Sequence, residues 1–414
     1  MRLAVLSFAL ALSICACAQT VATSATVPVT LDHNRVIIDV YLPLPDGKTT
    51  RVRGWVDTGN PDLWITEGLA KKLELPISGD TQDLMGGKAR TAKPPRELKV
   101  GGMIIALDAA KSARVILAAE SIGPGSSAEI NLPSSVLRNY DVSVDYLNRE
   151  FTIAAPRTLH FKGASVKGSV NPENGLIQLP AEVGTDKGSL GLDLGATVSF
   201  ISGELVSKWR KQHPRWPHLT GAVGPANLWG VAEEPTWQLL RIPSMQVGDL
   251  SLTNIVTSTF SKEDMPDVEK RAGGATIGIL GADALLNYGV GIDYANANVY
   301  FDHKSSMTPI NFDVVGLILR PESDGRYSVI GVADYEGKPS VPDVQKGDVL
   351  VMVDGGRAKG GTMGQVWSLL GGRPGDIRTL TLERDGKQFI VKATVRHFLA
   401  PVPNTTTKKS VKKK

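Results

Sequence analysis

Cysteine is almost missing from this chain of 414 residues: the two present, Cys15 and Cys17, both lie within the first twenty positions. No disulfide can therefore tie together parts of the body, and no cysteine cluster can hold a metal there. The six histidines are scattered, and His213 and His218 lack the spacing and acidic partner of a zinc-binding helix, so ordinary surface positions are expected for them. There is no Gly-x-Ser-x-Gly turn and no phosphate-binding loop. An excess of positive charge is missing as well. The formal charge of +4 depends on Arg2 and on five lysines at the end of the chain (Lys408, Lys409, Lys412, Lys413 and Lys414), and without those six the body carries −2. The folded part is thus not expected to bind nucleic acid. Any catalysis has to rest on carboxylates, with no metal and no cofactor expected.

What is present favours β structure. The chain is 42% hydrophobic and 21% charged, as folded soluble proteins are, and 43 glycines with 25 prolines favour frequent turns over long helices. Its length predicts two or three domains. At the start, Met1 and Arg2 precede an apolar run from Leu3 to about Ala16, too short to span a bilayer and of the kind that directs export. Residues 1–18 are read as a signal peptide. Two endings stay open: cleavage after Ala18, or a lipoprotein-type box with Cys17 as a lipid anchor, which would be the only membrane attachment. Residues 399–414 form a basic tail expected to be disordered. These features point to a bacterial envelope protein, periplasmic, anchored to the outer membrane or secreted.

One unit occurs twice. A strand at 36–43, a turn at 45–48 and a second strand run into Val56-Asp57-Thr58-Gly59; a strand at 176–180, a turn at 185–188 and a second strand run into Leu192-Asp193-Leu194-Gly195. Each is followed by another apolar strand and a short helix, read at 68–73 and 204–209. The copies also end alike, LPSSVLRNYDVSVDY at 132–146 matching LGADALLNYGVGIDY at 280–294. From first to last aspartate the intervals are 88 residues (Asp57 to Asp145) and 100 residues (Asp193 to Asp293). Two long copies indicate a duplicated lobe, not a solenoid array.

An aspartate on a tight turn before glycine has two readings: it can cap local amides, or it can serve chemistry. If the two turns faced each other, carboxylates about 4 Å apart at an effective dielectric near 20 would repel by roughly 4 kcal/mol, or about three pKa units. Such a pair holds one proton between them. One member can deprotonate a water while the other protonates a carbonyl, which hydrolyses an amide without metal or covalent intermediate. Asp145 and Asp293, in the closing strands, are expected to be structural, and Trp64 and Trp229 to serve packing.

The segment WVDTGNPDLW at 55–64 resembles the active-site signature of aspartic peptidases, and GILGADALLNYGVGIDY at 278–294 is similar to the second signature of the retropepsin-like branch. The resemblance covers about residues 27–301. It implies an all-β-dominated, bilobal fold with lobes at 27–157 and 158–304, and a catalytic pair of Asp57 and Asp193 in a cleft between them, supported by Thr58, Gly59 and Gly195. One chain would supply both halves, so a monomer acting on polypeptide substrate is implied. The flap over the substrate would fall at Met85, Gly86 and Gly87, with Trp229 as its counterpart in the second lobe. The sequence departs from the family at Leu194, where Thr or Ser is usual, and at Asn60 and Pro133. Leu194 favours the alternative that these lobes bind peptide, or act as an envelope scaffold, without cleaving it.

Residues 311–398 change pattern. Gly316-Leu317-Ile318-Leu319, Gly347-Asp348, a helix at 362–370 and a last hairpin around 384–387 resemble a bacterial PDZ domain, a small α+β fold. The resemblance implies a groove at Gly316, Leu317 and Ile318 that takes the C-terminal end of a peptide. A generic small β domain packed on the lobes is the other reading.

Overall fold

The computed structural model describes residues 22–84, 87–307 and 312–401. The leader with Cys17, the proposed flap tip at Met85 and Gly86, and the lysine-rich end fall outside these residues. The described chain is dominated by β-structure, with five short α-helices, the longest being Gly203–Gln212. No helix among the described residues is long and apolar enough to cross a membrane.

The duplication is visible in the strand order. In the first copy the strand Ile130–Pro133 lies between Thr49–Asp57, to which it is parallel, and Leu63–Thr66, to which it is antiparallel. In the second, Gly278–Leu280 lies in the same way between Asp186–Leu192 and Ser199–Ser202. Each aspartate-bearing strand is thus separated from the strand that follows it by the closing strand of its own copy. That insertion requires the chain to return over some 75 residues or more.

The copies meet in a shared six-stranded sheet. Asp141–Asp145 pairs antiparallel with Tyr288–Asp293, Ser143 opposite Gly291, so that Asp141 faces Asp293 and Asp145 faces Gly289. This register is reciprocal, as a twofold relation between the copies demands. Asp145 accepts from the Asn148 amide at 2.9 Å and Asp293 from the Asn296 amide at 3.0 Å, so both cap the turn that follows them. One apolar core passes through both copies and the sheet they share, from Val29 to Phe301.

The last segment forms its own six-stranded sheet, five strands running in the order Leu317–Pro321, Tyr327–Val332, Val349–Val353, Ile377–Arg384 and Lys387–Thr394 and a short sixth, Gly356–Arg357, pairing with Val349–Val353, with a helix at Met363–Leu370. It is not a separate bead. A second apolar core merges it with one side of the second copy, including Phe200, Leu228 and Leu239. Thr362 caps the helix in a reciprocal capping box with Gln365, and its hydroxyl also donates to Asp32 of the first copy at 2.6 Å. The Met363 amide donates to the Gly125 carbonyl at 2.6 Å. The start of this helix is therefore docked on the first copy.

The edge strand Leu317–Pro321 is covered as well. Asn227 behaves there like a residue of an added strand: its side-chain amide donates to the Leu319 carbonyl at 2.8 Å and its oxygen accepts from the Leu319 amide at 2.9 Å. Leu317, Ile318 and Leu319 are fully buried, and a Cβ on Gly316 would stand 2.3 Å from the Ser340 hydroxyl. Beside Gly316, Leu317 and Ile318, where a peptide groove was expected, Asn227 thus occupies the strand edge at Leu319. Replacing Asn227 with Ala leaves a buried donor and acceptor of Leu319 unpaired, at a cost of about 2 to 4 kcal/mol. Chemical denaturation should record that loss, and amide exchange should show Leu319 deprotected.

Candidate active site

Two turns face each other at the meeting point of the copies. Thr58, fully buried, reaches across: its hydroxyl donates to the Leu192 carbonyl at 3.1 Å and accepts from the Leu194 amide at 2.9 Å. The opposite turn carries Leu194, whose side chain is completely buried in the core and returns no such bond. The hydroxyl link between the turns is therefore one-sided, but Thr58 satisfies both its donor and its acceptor capacity.

The glycines explain how closely the turns approach. A Cβ on Gly59 would lie 2.1 Å from the Asp193 carboxylate, and one on Gly195 would lie 2.8 Å from Asp57 Oδ1. Each glycine abuts the aspartate of the other copy, and any side chain there would force the turns apart. Asp57 and Asp193 are thereby brought together, as are the supporting residues Thr58, Gly59 and Gly195.

The two carboxylates differ in what they receive. Asp193 accepts the Gly195 amide at 2.7 Å and the Ala196 amide at 3.0 Å, and the Gly59 amide from the other turn also donates to it. Among the described residues, Asp57 accepts from side-chain amides, Asn131 Nδ2 at 3.3 Å and Asn60. Burial followed by repulsion from Asp193 holds the Asp57 carboxyl well above the ordinary carboxylate range. Burial raises Asp193 too, against three backbone donors that favour its charged form. A proton shared by the pair accordingly resides mainly on Asp57, with Asp193 the ionised partner.

Both aspartates open into a cleft of about 890 Å³. Trp55, Trp64, Trp229 and Trp237 line it, and the rings of Trp55 and Trp229 are 6.3 Å apart. Trp64 and Trp229 therefore face the cleft besides serving packing. Of the flap stretch, Gly87 opens the strand Gly87–Ala92 and is exposed. No described residue from 77 to 92 lines the cleft, because this hairpin stands at the outer end of its sheet, beside Ala113–Ile116.

Several contributors to the site were not legible in the sequence. Asn131, fully buried, bonds Asp57, the Trp64 amide at 2.7 Å and the Asp62 carbonyl at 3.0 Å. Its counterpart in the second copy is apolar Ile279, and that mismatch between aligned copies was the available signal. Glu234, also fully buried, accepts the Trp229 and Gly230 amides at 2.6 and 2.9 Å and so shapes the loop that carries Trp229. Burial pushes it up to about 7 against those donors. Nearby, the buried Arg35 guanidinium lies over the Trp55 ring at 5.3 Å, with Asp32 and Glu234 offsetting its charge. Arg35 and Asp32 sit in the opening strands of the first copy, where polar residues give no hint of such burial. The helix Met265–Ala272, with Arg271 on the cleft, was foreshadowed only by Pro266 near its start and Gly273 just past its end. Among the described residues no group of three or more His, Cys, Asp or Glu is placed to hold a metal.

No described protein family and no curated protein matches the chain in sequence.

A carboxyl raised by burial binds its proton more tightly in the folded than in the unfolded chain, so stability falls as pH rises from about 4 through the folded-state value. Asn at position 57 carries no charge at any pH. Asp57→Asn should therefore melt a few degrees above the wild type at pH 7, with the difference disappearing near pH 4, as followed by calorimetry at both values.

Proposed function

We propose that the chain is an aspartic endopeptidase of the bacterial envelope, its two copies forming the lobes of a retropepsin-like fold and Asp57 with Asp193 forming the catalytic pair. The observation that carries this reading is the crossed packing of the two turns, Gly59 on Asp193 and Gly195 on Asp57. It forces two buried carboxylates into one cleft in unequal environments. A lone capping aspartate needs no such partner.

In this reading a water between the carboxylates gives a proton to Asp193 as its oxygen attacks the scissile carbonyl carbon. Asp57 gives its proton to the carbonyl oxygen, so a neutral tetrahedral diol forms. Asp193 then passes its proton to the amide nitrogen, the C–N bond breaks, and a diol proton returns to Asp57. The aromatic cleft suits an extended peptide with large apolar side chains. The last segment, PDZ-like in its strands and helix, acts here as a support docked on both copies. Its strand edge is already taken by Asn227, so recruitment of a peptide end to that edge would require Asn227 to leave.

The test is cleavage of a diverse peptide mixture by the mature protein from acid to neutral pH, read by mass spectrometry. Asp57→Asn and Asp193→Asn should each lower the rate at least about a hundredfold. The pH profile should be bell-shaped: activity falls on the acid side as Asp193 takes a proton and on the basic side as Asp57 loses one. Because Asp57 is held high, the basic limb should lie above the ordinary carboxylate range. A wild type that binds peptides but cleaves none over this range would make the lobes a binding module, the outcome that the one-sided Thr58 link at Leu194 favours.

A further inference from the structure

The helix Met265–Ala272 buries none of its side chains, although Val268, Arg271 and Ala272 face the cleft. A helix without a core face has to be held in other ways. Gly273 ends it in the left-handed conformation, φ 82°, and its amide returns to the Glu269 and Lys270 carbonyls. The Arg271 carbonyl accepts from Asn171 Nδ2 at 3.1 Å and from Asn174 Nδ2 at 2.8 Å. The backbone at Arg271 is thus tied to the loop ahead of Ile177–Val183, and its side chain is presented from a fixed base.

Among the described residues that line the cleft, Arg271 is the one lysine or arginine. Its charge reaches both aspartates and favours their ionised forms. Its nearest counter-ion, Asp62 of the first copy, is 3.5 Å away, beyond a good charged hydrogen bond, and Asp62 also faces Arg114 Nε at 3.6 Å. With its side chain half exposed, Arg271 is loosely paired and gains little from Asp62. A planar guanidinium on a fixed backbone, in a cleft otherwise aromatic and acidic, suits two-pronged binding of an incoming carboxylate.

We propose that Arg271 is a specificity-determining residue that binds a carboxylate of the substrate, so that the preferred ligand is an apolar or aromatic peptide with an acidic side chain or a free C-terminal carboxylate close to the bond held at the aspartates. The scissile bond in this statement rests on the peptidase reading; the recognition of the carboxylate does not. A cation present only to balance the two aspartates would not distinguish a Glu peptide from a Gln peptide.

Binding is therefore measured apart from cleavage, on the full mature chain carrying Asp57→Asn, by quenching of tryptophan fluorescence. Four matched Leu/Phe/Ala decapeptides are compared, with Glu or Gln at one central position and with the C-terminus free or amidated. A carboxylate should tighten Kd about five- to tenfold at low salt, and the arm that shows the gain identifies its source. Adding Arg271→Gln should erase the gain, Arg271→Lys should keep part of it, Asp62→Asn should enlarge it, and salt should reduce it. Equal Kd values for all four peptides, a gain that persists in the Arg271→Gln protein, or no binding of any peptide would overturn the proposal. None of these outcomes depends on whether the wild type cleaves.

Discussion

Thr58 leaves the end of one strand and makes both of its hydrogen bonds to the opposite turn, to the Leu192 carbonyl and the Leu194 amide. The arrangement of the cleft depends on that link. It sets the distance at which Gly59 and Gly195 pass the opposite carboxylates, and through them it buries two acidic groups side by side. Burying like charges opposes folding unless one of them keeps its proton. The core that surrounds the turns, continuous through both copies, offsets that cost. A buried hydroxyl with both capacities used is directional in a way that Leu194 cannot be. One threonine is enough to define the crossing, because the leucine opposite it supplies the amide through its backbone.

The copies share a plan but not a charge pattern. On the Asp193 side three backbone amides converge, whereas on the Asp57 side the donors are Asn131 and Asn60. Backbone amides at a turn are fixed dipoles and hold an anion well. Side-chain amides, one of them at 3.3 Å, do so less firmly. The asymmetry separates two chemically identical groups into one that keeps a proton and one that does not. Arg271 extends the asymmetry outward, placing a positive charge on the wall contributed by the second copy.

The last segment belongs to this arrangement through the loop that carries Trp229. Asn227 joins that loop to the edge strand at Leu319, and Glu234 gathers its amides from inside. Gly230, at φ 68°, passes so near Arg320 that a Cβ would stand 2.7 Å from its Cα. One wall of the cleft is thus shaped jointly by the second copy and the terminal sheet. The neutral His33, lowered to about 3 by burial and by Arg35, donates to the Asn227 carbonyl and brings the first copy to the same junction.

Local patterns in the chain carried a good deal. Alternating apolar residues around Asp-x-Gly turns marked the strands, matching ends marked the duplication, and the helix read at 362–370 begins one residue inside that range, at Met363. These signals are legible because they arise from spacing along the backbone, where propensity and turn chemistry act over a few residues. Which aspartate holds the proton, which cation faces the cleft and what covers the terminal sheet edge were decided only by the tertiary structure. Asn131 lies 74 residues from Asp57, Thr58 lies 136 from Leu194, and Asn227 lies 92 from Leu319. Contacts over such separations leave no periodicity in the sequence, and the desolvation that gives them their energy exists only once the chain has closed around them.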